Sequence, residues 1–108
     1  MKISALPKDA DALVGFAESI ATALAEKQEQ LGIATEAEVP LRAAIAGATL
    51  AGDAYVAALA HADKSPEARS VLAEAKRYRD RSLEQLRRRV TRSIRRLSGL
   101  IITNEFNR

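Results

Sequence analysis

Six arginines fall within ten residues, Arg87-Arg88-Arg89-Val90-Thr91-Arg92-Ser93-Ile94-Arg95-Arg96, the densest chemistry in this sequence. A guanidinium presents a planar fork of donors that matches phosphate, so the run suits nucleic acid or an anionic membrane surface. On a helix Arg88, Arg92, Arg95 and Arg96 lie along one face, opposite the side led by Leu83, Leu86 and Val90. No aromatic side chain is interleaved for base stacking, and no known nucleic-acid-binding motif accompanies the run. The structural alternative is a solvated face whose arginines pair with acids of the first helix or of a second chain.

The remaining groups offer little for catalysis. His61 is the single histidine, and Asp63, two residues on, would project from a different side of a helix. A metal ligand needs companions and a general base needs a second group, so His61 reads as a solvated residue near a helix C-terminus. Glu26 and Glu29 share a helical face, but no E-x-x-H accompanies them as a diiron bundle requires. Glu36 and Glu38 stand at a helix start, where acids stabilise the exposed N–H groups. There is no cysteine, no G-x-S-x-G, no P-loop and no G-x-G-x-x-G. The expectation is a protein that is not an enzyme, with no cofactor and no metal.

Three helices must position these groups. Asp9 or Asp11, after Pro7, begins the first, and Leu13, Phe16, Ala17, Ile20, Leu24 and Leu31 form its apolar stripe over residues 9–31. Gly32 stands where a left-handed C-cap is wanted. Thr35-Glu36-Ala37-Glu38 has the form of a capping box, and Pro40 is expected to kink or restart the helix after one turn. Leu41, Ile45, Ala48, Gly52, Tyr55, Leu59 and Ala62 then keep a coiled-coil rhythm over 40–62, with Ala48 and Gly52 allowing close approach. Ser65-Pro66-Glu67 reads as N-cap, N1 proline and first-turn acid. The third stripe is Leu72, Ala75, Leu83, Leu86, Val90, Ile94, Leu97 and Ile101, with Arg79 interrupting it and Tyr78 supplying cover.

The architecture expected is all-α: a single domain over residues 1–108, folded as an up-down-up three-helix bundle. The third helix, 66–97, measures about 48 Å against about 35 Å for the second, from the helical rise. Its end is expected to outrun its partners and leave Val90, Ile94, Leu97 and Ile101 as an interface for a second copy, completing an antiparallel homodimer. Gly99 is expected to end the helix, with a loose tail from about 103 to 108.

Composition agrees with helices. Apolar residues make up 47% and aromatics only 4%, so Ala, Leu, Val and Ile must build the core. The net charge of +3 is uneven: residues 1–75 carry six bases against eleven acids, whereas 76–96 carry ten bases against two. No secretory signal is expected, and no membrane span, for want of an apolar stretch near the ~18 residues that a span requires. A soluble, cytoplasmic protein is the expectation.

Three stretches carry a family resemblance: Leu6-Pro7 followed by Asp9-Ala10-Asp11, Leu31-Gly32 leading to Thr35-x-x-Glu38-Val39, and Ala75-Lys76 opening the arginine-rich helix. Over about residues 6–97 the chain resembles uncharacterised bacterial Ala-rich helical-bundle proteins. In those proteins the bundle often stands before a small fibronectin-type β module. Pro40 stands where that group tends to have Ala, and the 108 residues hold no β module. The resemblance implies a helical bundle and no activity or site residues. A non-enzymatic interaction and assembly module is the leading expectation for function, with nucleic-acid binding through the basic third helix as its alternative and a small-molecule-binding bundle third.

Overall fold

A computed structural model describes residues 6–32, 37–61, 63 and 65–106, with only the backbone of 101–106. Its elements are α1 (Ala10–Gln30), α2 (Glu38–Ala60) and α3 (Pro66–Phe106), and no strand occurs among the described residues. The fold is an all-α three-helix bundle, drawn out to 64 × 26 × 15 Å by the length of α3.

The helix starts follow local chemistry. The Asp9 carboxylate accepts the Ala12 N–H at 3.0 Å, and Ser65 Oγ accepts the Ala68 N–H at 3.0 Å with Pro66 at the first helical position. Gly32 takes φ +67° after α1, the left-handed turn that a side chain resists. The start of α2 differs from expectation. Thr35 lies outside the described residues, and α2 begins at Glu38 behind Ala37, which makes no side-chain cap. Pro40 neither kinks nor restarts the helix, because at the third position its missing N–H had no acceptor inside the helix anyway.

Gly99 does not end α3. The helix runs through it to Phe106, so the expected boundary at 97 and the loose tail from 103 are both corrected. A helical glycine costs only ~1 kcal/mol relative to alanine, too little to stop a helix without a left-handed turn. Gly99 has no positive φ.

The core is local to one part of the molecule. Leu13, Ala17, Ile20 and Ala21 of α1, Leu41, Ile45 and Ala48 of α2, and Leu86, Val90 and Ile94 of α3 form one buried cluster. Each large side chain among them contributes ~1.5–3 kcal/mol by leaving water. Two anchors set the position of α1. Arg87 Nη1 and Nη2 donate to the Pro7 and Lys8 carbonyls at 2.9 and 3.1 Å, and Gln28 Nε2 donates to Glu38 Oε2 at 2.7 Å. The start of α1 therefore lies beside residue 87, and its end beside the start of α2. Beyond it, the second half of α2 and the first half of α3 continue as a two-helix arm. There the seam of α2 moves from the expected Gly52, Tyr55 and Leu59 to Ala51 and Ala58, which are the buried residues.

Candidate interaction surfaces

The interface expected at the end of α3 is not free. Val90 is 0% exposed and Ile94 6%, both inside the three-helix core. Leu97 is half-buried, and the side chain of Ile101 lies outside the described residues. The expectation aligned all three helices at the α2–α3 turn, whereas the anchoring of α1 at Arg87 slides it along the C-terminal half of α3. The overhang exists at the opposite end, on the arm.

What the arm leaves uncovered is apolar. Val56, Leu59, Val71 and Tyr78 are exposed there, and Leu50 and Val39 are exposed further along α2. Tyr78 thus does not serve as the expected cover. Arg79 instead turns its guanidinium over the Tyr55 ring, 4.1 Å from the centroid, a cation–π contact between α3 and α2. The sequence signal for that contact was the arginine breaking an apolar stripe.

On α2 the face opposite the core is Val39, Ala43, Ala46, Leu50, Ala54 and Ala57, all exposed. The helix reaches a mean hydropathy of 1.5 over eighteen residues, of which only 22% are buried. It is therefore long and apolar enough to cross a membrane by length and composition, which corrects the expectation that no such stretch exists. Five of its residues, Leu41, Ile45, Ala48, Ala51 and Ala58, are buried within the bundle. Close helix approach is not what Gly52 provides, since a Cβ there would meet nothing within 4 Å.

The basic face stands as expected in part. Arg88, Arg92, Arg95 and Arg96 are all exposed along α3. The ion pairs Arg88–Glu84 at 3.4 Å and Arg79–Asp80 at 3.3 Å lie within α3 rather than reaching α1. An exposed pair of this kind stabilises by at most ~1 kcal/mol. Arg87 leaves the run altogether, since its fork is spent on the carbonyls before α1.

The groups considered for catalysis stay apart. His61 is exposed at the end of α2, its backbone N–H on the Ala58 carbonyl at 3.2 Å. No group of three His, Cys, Asp or Glu gathers among the described residues. Glu26 and Glu29 are both exposed on α1, whereas Glu36 lies outside the described residues. Glu38 holds the start of α2 to the end of α1. Hydrogen bonds from its own backbone N–H and from Gln28, with the Arg42 charge, hold its carboxyl below the usual range against a small opposing effect of burial. A cleft of about 500 Å³ opens where α1 begins, lined by Val14, Val56 and Leu83, one from each helix, together with Asp11, Glu18, Asp53 and Arg79. Its walls mix both charge signs and no fixed set of donors converges on one point.

Neither a protein family nor a curated protein nor a solved structure matches the chain.

Proposed function

We propose that this chain is a non-enzymatic assembly module, a helical bundle that works by pairing with a second copy through apolar surface its own helices leave open. The observation that carries this reading is the exposure of Leu50, Val56, Leu59 and Val71, large apolar side chains on one arm and the adjoining face of α2. Large apolar side chains left exposed in this way point to interaction sites in folded proteins. Light scattering across a hundredfold range of concentration tests it. A mass twice that of the 11.7 kDa chain supports the reading, and a monomer at high micromolar concentration refutes it.

Nucleic-acid binding is a second reading, supported by the exposure of Arg88, Arg92, Arg95 and Arg96 on one helix. Phosphate contacts release counterions, so such binding should weaken steeply with salt and on Arg88→Ala with Arg92→Ala. No binding at low ionic strength removes it, because attraction is strongest there.

A further inference from the structure

We infer that α2 is the dimer seam: it pairs antiparallel with α2 of a second copy, in a register set by Arg42 and Asp53. This rests on the assembly reading above and gives it a geometry. The outer face of α2 carries two large apolar residues, Val39 and Leu50, among alanines. Arg42 and Asp53, both exposed, are the charged residues of α2 itself beside that face, whereas Arg88, Arg89 and Arg92 of α3 border its other edge near Ala43. Arg42 and Asp53 stand eleven residues apart, close to three helical turns, so both flank the same side of the face. Neither sits in an ion pair with another described residue, although the Arg42 charge is felt by Glu38 one turn before it.

Antiparallel helices related by a two-fold axis place each flank against the same flank of the partner. Arg42 then meets Asp53 of the partner subunit, and the symmetry repeats the contact at the other end. That register has a second consequence, independent of charge. It brings Leu50 level with residue 45 across the seam, between Ala43 of the partner subunit and Ala46 of the partner subunit. Val39 meets Ala57 of the partner subunit in the same way. Each large side chain faces small ones, the arrangement that interdigitates without voids. A parallel pairing would instead stack Leu50 on its own copy and put Arg42 and Asp53 of the two copies on opposite flanks of the seam, where they cannot pair. The charges and the shapes of one face thus select one register, which a face evolved for lipid has no reason to show.

The test is a charge-reversal exchange. R42D and D53R each leave two like-charged contacts in the homodimer, whereas a mixture of the two variants restores both pairs in a heterodimer. Both positions are exposed, so circular dichroism should report unchanged helix. Expected is a dimer for the unmodified chain, at least tenfold weaker association for each variant alone, and recovered dimer in the equimolar mixture. The chain has no cysteine, so A46C provides a clean second readout: it lies near the two-fold axis and should cross-link to its own copy. A57C lies about 28 Å from its copy by the helical rise and should not cross-link. Single variants that dimerise like the unmodified chain, or a mixture that does not pair, overturn this register while leaving assembly intact. An unmodified chain that is monomeric overturns both, and flotation of that monomer with lipid vesicles would assign the α2 face to a membrane.

Discussion

Leu86→Ala is the sharpest probe of where the core lies. Leu86 is 0% exposed and belongs to the cluster shared by all three helices, so truncation removes its burial and leaves a cavity that all three line. Comparable leucine truncations cost about 3 kcal/mol, within a range of about 2–5. Since a domain of this size is stable by about 5–15 kcal/mol, the variant should fold but with much of its margin gone. At about 4–8 °C per kcal/mol, its thermal midpoint should fall by roughly 12–24 °C. The matched control is Leu59→Ala, on the arm and 53% exposed, which should stay within about 0.5 kcal/mol when the chain is monomeric. Urea titrations followed by helical circular dichroism, at one low concentration for all variants, give both values. A cost below about 1 kcal/mol at Leu86, or equal costs at the two positions, would refute the placement of the core on the C-terminal half of α3.

Three further outcomes follow from the same contacts. Replacing Ile94 and Leu97 together by Asp should unfold the bundle rather than yield folded monomers, because Ile94 is inside the core; a cooperative thermal transition retained in the double variant would contradict this. Arg87→Met keeps the apolar stem but removes two bonds to the Pro7 and Lys8 carbonyls, and hydrogen exchange at the start of α1 should rise with a loss of about 1–2 kcal/mol. The lowered carboxyl of Glu38 favours the folded state above its ordinary value of 4.5, and that contribution is lost as pH falls through the lowered folded value; Glu38→Gln should flatten this acid limb of the stability profile, and an unchanged limb would refute the role.

The local features were legible in the residues because they depend on near neighbours. The Asp9 and Ser65 caps, the Gly32 turn, the apolar stripe of α1, the first half of the α2 stripe at Leu41, Ile45 and Ala48, and the outward arginine face all follow from residues within a turn or two of one another. Where an element ends is less local. Gly99 stays helical because its cost is small beside the continuity of α3, and Pro40 is harmless only because the helix starts at Glu38.

The position of one helix along another was decided by tertiary structure alone. Periodicity says which side of a helix is apolar, but sliding α1 along α3 by several turns leaves every stripe intact. The choice is made by contacts between residues far apart in the chain, Arg87 on the carbonyls of Pro7 and Lys8, and Gln28 on Glu38. Those contacts bury Val90 and Ile94 and uncover Leu50, Val56 and Val71, although both sets look alike in the sequence. An apolar residue records in its own chemistry only that it is better out of water, and which surface removes it from water is a property of the assembled helices.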